Sequence, residues 1–174
     1  GEREPEAMTL ATVGADGRPS ARIVLLRGRS DDDVLRFFTG YDSRKGIELA
    51  GNPWAAVVLH WKAISRQVRV EGRVSRLPQS ESDEYFARRP RESRLAAAVS
   101  PQSRVIASLD ALERERQALA ERLADGPVPR PERWGGYGLV PEVVELWRSG
   151  AARMHERRRF VRSGGGWIVE MLAP

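Results

Sequence analysis

Arg153, His155 and Arg157 are the residues of this chain best placed by type and spacing to do chemistry. Alternate side chains of an extended strand share a face. The segment Arg153-Met154-His155-Glu156-Arg157 is therefore expected to present up to three positive charges on one surface. Such a surface is costly in a core and suits an anionic ligand. A solvated edge strand is the competing reading, since arginine is abundant throughout. His155 is one of only two histidines, the other being His60.

A second candidate is Thr39-Gly40-Tyr41-Asp42-Ser43-Arg44-Lys45. A strand ends, a short loop follows and a helix begins with two cations in its first turn. Cations there oppose the helix dipole, whereas a phosphate would be favoured by the free backbone N–H groups and would remove the conflict. Arg22 and Arg27 flank the apolar run Ile23-Val24-Leu25-Leu26. In a regular strand they point to opposite faces, toward a ligand and a second site or simply as charges bounding a strand. Tyr85, Arg89 and Ser93 recur every four residues. On a continuous helix they would form a hydroxyl–guanidinium–hydroxyl set suited to phosphate, but Pro90 interrupts it; a plain surface helix is the other reading. Gln67, Gln102 and Ser103 are neutral hydrogen-bonding residues, and Trp147 is by default a packing residue.

These side chains need a scaffold. Residues 7–14 and 20–27 predict two strands joined at Asp16-Gly17, and Val34 to Thr39 a third. Ser43 predicts a helix N-cap and Gly51 its stop. A strand over 54–61 and an alternating strand over 65–76 follow, with Val68, Val70, Gly72 and Val74 on one side and Gln67, Arg69, Glu71 and Arg73 on the other. Ser80 or Ser82 is expected to cap the next helix, and Arg91 to Val99 forms another. Residues 108–124 form an amphipathic helix with Leu109, Leu112, Leu119 and Leu123 as its apolar side. Pro127, Pro129 and Pro131 make a stiff connector. Four strands end the chain (GGYGLV, VVELWR, MHERRRFVR and WIVEML), with a hairpin turn at Gly164-Gly165-Gly166. Many strands in meander order with a few helices predict a mainly β, α+β fold: a β-barrel with flanking helices in one domain, 1–174.

At 174 residues, 41% hydrophobic and 30% charged, the composition is that of a globular domain. No apolar run is long enough for a bilayer, no signal peptide is evident, and cysteine is absent, so a cytoplasmic protein with no membrane partner is expected. No metal-ligand cluster is apparent. The net charge is +5, yet all but two of the 29 basic residues are arginine. That skew reads as codon preference, so nucleic acid is not the expected partner; basic residues map onto candidate anion motifs instead. Lys45 and Lys62 stand out as the only lysines.

Taken together, RIVLLR at 22–27, SRKG at 43–46, NPWA at 52–55, RQVRVEG at 66–72, YFARRPRES at 85–93, QS at 102–103, and ELW with RMHER within 145–157 resemble the pyridoxine (pyridoxamine) 5'-phosphate oxidase family, almost end to end. The resemblance implies an FMN-binding split β-barrel that works as a homodimer. Arg22, Ile23, Val24, Leu25, Leu26, Arg27, Phe38, Thr39, Gln67, Gln102, Ser103, Trp147 and Arg157 would contact FMN, with Arg44 and Lys45 at its phosphate. Tyr85, Arg89, Ser93 and Arg27 would grip the substrate phosphate, while Arg153 and His155 would lie over the substrate ring as the catalytic pair. The implied reaction is oxidation of a phosphorylated B6 vitamer to pyridoxal 5'-phosphate, with O2 reduced to H2O2. A phenazine-type flavin oxidase and a non-catalytic flavin-binding split barrel are the alternatives. The chain departs from the family at Arg27, commonly lysine, at Phe38, usually tyrosine, at Ala98, usually tryptophan, and at Ala151-Ala152, usually more polar. It also begins close to its first strand, without the N-terminal extension common in the family.

Overall fold

The computed structural model describes residues 2–28 and 33–174. Eight strands are found among them: β1 (Ala7–Val13), β2 (Pro19–Leu25), β3 (Leu35–Gly40), β4 (Trp54–Trp61), β5 (Arg66–Arg76), β6 (Trp134–Arg148), β7 (Glu156–Ser163) and β8 (Gly166–Met171). Four α-helices accompany them: α1 (Arg44–Gly51), α2 (Gln79–Arg88), α3 (Arg91–Val99) and α4 (Leu109–Leu123). The strands follow the order β2-β1-β4-β5-β6-β7-β8, and β3 pairs with β6.

The chain divides into two compact units. A sheet unit holds Gly1–Phe37, Glu48–Ser75 and Gly138–Pro174. Its strands alternate as their sequences predict. Met8, Leu10 and Thr12 of β1, Ala55, Val57 and Leu59 of β4, and Val70 and Val74 of β5 are buried. β1 runs antiparallel to both β2 and β4, β4 to β5, and β7 to both β6 and β8. A helical unit holds Phe38–Ile47 and Arg76–Tyr137. Its core is Phe86, Leu95, Val128 and Trp134, with Phe38, Tyr85, Ala98, Leu119 and Leu123 packed against it.

Several expectations need correction. GGYGLV and VVELWR are not two strands; β6 runs through Pro141. Its ladder with β7 begins at Val143, so no N–H is asked of the proline there. Neither Ser80 nor Ser82 caps α2. Pro78 occupies that position, and Ser82 is buried inside the helix, where its hydroxyl accepts the Gly136 N–H at 3.0 Å. α4 is capped by the Ser108 hydroxyl, which accepts the Ala111 N–H, but Leu109 is exposed rather than part of the apolar side.

β7 begins only at Glu156. Arg153 ends a 3-10 turn, Ala151–Arg153, and His155 lies between that turn and the strand. Arg153, His155 and Arg157 therefore do not share a strand face.

Candidate functional site

The turn that carries Arg153 is tightly specified. Ala152 and Arg153 both adopt positive φ, at 50° and 63°. Side chains other than glycine rarely hold that conformation, and it clusters at functional positions. Gly150 is required by proximity: a Cβ there would stand 1.8 Å from the Met154 carbonyl oxygen. Its N–H donates to His155 Nδ1 at 3.2 Å. Since Nδ1 accepts, the neutral ring carries its proton on Nε2. The imidazole lies against the Trp147 ring, centroids 4.8 Å apart.

Trp147 and Gln67 line one cavity of the sheet unit, about 450 Å³, together with Trp61, Arg66, Val68, Leu146, Arg148, Glu156 and Arg158. β5 and β6 bring them there: Gln67 stands opposite His60 on β4, and Trp147 stands opposite Arg157 on β7. Arg157 is held from two sides. Its Nε donates to Glu145 Oε1 at 2.8 Å and its Nη1 to the Ala173 carbonyl at 3.0 Å. Glu145 also receives Arg69 at 3.3 Å. The Arg157 hydrogen bond, with the nearby charges of Arg157, Arg69 and Arg159, holds the Glu145 carboxyl below its usual range despite burial, and Glu145 in turn pushes Arg157 up.

Arg22 lies elsewhere in this unit. It donates to the Thr12 and Ser20 hydroxyls, to the Leu10 carbonyl at 3.3 Å and to Glu48 Oε2 at 3.2 Å. Arg27 lies beyond the end of β2, so it is not the far end of a continuous Arg22–Arg27 strand; its Nη1 is 3.8 Å from Glu6. Ile23 is exposed.

The helical unit carries the other predicted residues. Ser43 does cap α1: its hydroxyl accepts the Gly46 N–H at 3.4 Å and the Lys45 ammonium at 2.9 Å. A Cβ at Gly46 would lie 2.2 Å from the Tyr41 carbonyl oxygen, which explains glycine at this tight entry. Lys45 is only 5% exposed, and Thr39 is buried too. Gln102 joins this loop, its Oε1 accepting the Gly40 N–H at 3.0 Å and the Thr39 hydroxyl at 2.9 Å. Ser103 follows with φ 72°.

Arg89 and Ser93 line a second cavity, about 300 Å³, with Gly40, Asp42, Gln102, Arg133 and Trp134 among its walls. Arg89 is the residue at which α2 ends, and Pro90 precedes α3, so the two come together across a helix break rather than along one helix. The Arg89 guanidinium lies over the Trp134 ring at 4.7 Å. Tyr85 is not part of that lining. It stacks on Phe38, centroids 3.8 Å apart. Ala98 borders the unit's core, so its small side chain first affects that packing.

Glu48 and Glu145 escaped the sequence reading. Each left a signal: a carboxylate in the otherwise apolar run VVELW, and one within a turn of Arg44 and Lys45 on α1. No group of three or more potential metal-ligating side chains occurs among the described residues, and no helix there is long and apolar enough to cross a membrane.

Comparison with known proteins places this arrangement. PhzG from Burkholderia lata 383, solved with tetrahydrophenazine-1-carboxylic acid, superposes with a TM-score of 0.93 at 33% identity, covering 99% of this chain and 84% of that one. A pyridoxamine 5'-phosphate oxidase-related, FMN-binding protein of Nostoc punctiforme shares the fold at 21% identity and a TM-score of 0.79, covering 99% and 89%. The fold is the FMN-binding split barrel of a class of flavin oxidoreductases. The family model for pyridoxamine 5'-phosphate oxidase matches residues 2–121, and that for the pyridoxine 5'-phosphate oxidase C-terminal dimerisation region matches 134–174. The pyridoxine/pyridoxamine 5'-phosphate oxidase of Cupriavidus necator is 52% identical over 172 residues, 98% of this chain and 80% of the relative. The chain belongs to the pyridoxamine 5'-phosphate oxidase family.

Proposed function

We propose that this chain, as a homodimer, oxidises pyridoxine or pyridoxamine 5'-phosphate at C4' to pyridoxal 5'-phosphate, with FMN as cofactor and O2 as acceptor. The observation that carries the reading is the cavity shared by Arg89 and Ser93, a guanidinium and a hydroxyl suited to a phosphate monoester. The entry to α1 fits FMN: Lys45 is a nearly buried ammonium in a helix's first turn, where a phosphate offsets both its desolvation and its conflict with the dipole. When bound, FMN would supply the acceptor for the two electrons removed from C4', which end on O2 as hydrogen peroxide; the amine substrate in addition takes up water and releases its nitrogen as ammonia.

The protein's task is placement. Arg44 and Lys45 hold the FMN phosphate. Arg22 to Arg27, Phe38, Thr39, Gln67, Gln102, Ser103, Trp147 and Arg157 complete the flavin contacts. Arg89 and Ser93 take the substrate phosphate. Arg157, its charge shared with Glu145, stabilises negative charge developing beside it. Arg153 pins the substrate ring. His155, with Nδ1 occupied by the Gly150 N–H, offers Nε2–H as a donor and orients the substrate.

The test is formation of pyridoxal 5'-phosphate and peroxide from FMN-loaded protein given pyridoxine 5'-phosphate in air. Equal amounts of both are expected. Arg153→Ala should lower turnover about a hundredfold with FMN still bound; loss of flavin from that variant would refute its assignment. A second reading, oxidation of a reduced phenazine carboxylic acid, is favoured by the close superposition on PhzG. FMN binding with turnover of such a substrate, and of neither B6 phosphate, would select it.

A further inference from the structure

Thr12, Ser20, Arg22 and Glu48 form a closed polar ring within the sheet unit. The Thr12 hydroxyl accepts from Arg22 Nη1 and donates to Glu48 Oε2 at 2.5 Å. The Ser20 hydroxyl accepts from Arg22 Nη2 and donates to the same oxygen at 2.7 Å. Arg22 reaches that oxygen directly as well, at 3.2 Å. One carboxylate oxygen thus receives three donors, from β1, from two positions of β2, and through both hydroxyls from the guanidinium again. Thr12 and Glu48 are buried, and the Arg22 side chain is 22% exposed. Strand register makes the ring possible, because Ser20 stands opposite Thr12, and Arg22 opposite Leu10.

A buried carboxylate with this many donors is far more than a surface ion pair requires. It leaves the guanidinium few orientations, since each amino end is fixed by a hydroxyl that is itself fixed on Glu48. Removing the negative charge would leave Arg22 partly buried without its counter-charge and release it from the sheet.

We infer that Glu48 is a positioning residue for the flavin site, acting through Arg22: it sets the guanidinium in the one orientation that meets FMN. The inference rests on the placing of Arg22 at FMN under the function proposed above. Glu48 touches neither cofactor nor substrate in this account.

The experiment is FMN titration of flavin-free Arg22→Gln, Glu48→Gln and the double variant, followed by flavin fluorescence, with visible circular dichroism of the bound flavin. Glu48→Gln should weaken FMN about tenfold. Arg22→Gln should weaken it at least as much, the double variant no more than Arg22→Gln alone, and both single variants should show the same altered dichroism. Unchanged affinity in Glu48→Gln overturns the inference. So do losses that multiply in the double variant, or a lowered melting temperature with wild-type dichroism, which mark a merely structural role. Unchanged FMN affinity in Arg22→Gln instead removes Arg22 from the flavin site, and the inference falls with that assignment. If Glu48→Gln does not fold, Ser20→Ala keeps both charges and removes one bridge; about threefold weaker FMN binding is then expected, and no change overturns the proposal.

Discussion

The two cavities differ in how they treat their charges. The sheet-unit cavity is walled by two flat rings, Trp61 and Trp147, and by Val68 and Leu146, and two of its three arginines, Arg148 and Arg158, pair with the one carboxylate in the lining, Glu156. The helical-unit cavity is smaller and holds Arg89 stacked on Trp134. Its Arg133 is occupied by the Ala98 and Ser100 carbonyls and stands 3.7 Å from Asp42. In the sheet Arg148 stands opposite Glu156 and Arg158 shares that carboxylate, so the arginines are partly answered beside a surface suited to an aromatic plane. A helix break places the Arg89 guanidinium beside the start of α3 and next to Ser93, which suits a compact anion.

The sharpest way to break this contrast is Arg89→Ala. Truncating one partner of a buried charge-assisted contact should raise KM for pyridoxine 5'-phosphate about a hundredfold while FMN stays bound. Comparing phosphorylated with unphosphorylated substrate isolates the effect, since the variant should lose the preference for phosphate. An unchanged KM would show that the helical-unit cavity is not the phosphate site. Lys45→Ala tests the same unit at its other anion position. It should weaken FMN about thirtyfold, read as flavin released on gel filtration and as a higher dissociation constant; equal retention would move the flavin phosphate elsewhere.

How much of this was legible beforehand follows from the same contrast. Strand-borne residues fell on strands, Gln67 on β5 and Trp147 on β6, although each lines the cavity together with both its chain neighbours rather than in alternation. Turn-borne residues did not. Arg153 and His155 looked like strand residues because Met154 alternates with them, and only the left-handed Ala152–Arg153 pair, which no residue type announces, ends that pattern. The Arg89–Ser93 pairing was legible as a spacing of four, but it survives across Pro90 for a tertiary reason and loses Tyr85 to a stack on Phe38. The family resemblance supplied roles that neither period nor spacing contains. Glu48 and Glu145 were missed because a carboxylate among apolar residues names no partner; the tertiary fold brings Arg22 to the first and Arg157 to the second.

Glu145 offers a pH test confined to the sheet unit. Its folded carboxyl is held below the ordinary value of 4.5, chiefly by the Arg157 hydrogen bond. A lowered folded value means the stabilisation is fully present above the unfolded value and is lost as pH falls through the folded one. The melting temperature should therefore drop as pH is taken from about 5 downward, and Glu145→Gln should start lower and drop less. A parallel decline in both proteins would show that other carboxylates govern acid unfolding, and that the ionic lattice around Arg157 is not what holds this sheet.

The smallest effect is expected at Arg148, and it bears on whether the shared Glu156 is enough to answer the arginines of the sheet cavity. Arg148 pairs with Glu156, but Glu156 keeps Arg158 at 2.8 Å when Arg148 is replaced, and the Arg148 side chain is more than half exposed. An exposed pair with a redundant partner contributes little. Arg148→Gln should leave the melting temperature within about 2 °C of the parent and FMN affinity within about twofold. A loss as large as that of Lys45→Ala would mean that Arg148 answers an anion of its own. The sheet cavity would then read a charged ligand edge, not only a flat ring, and the distinction between the two cavities would collapse into two anion sites of different size.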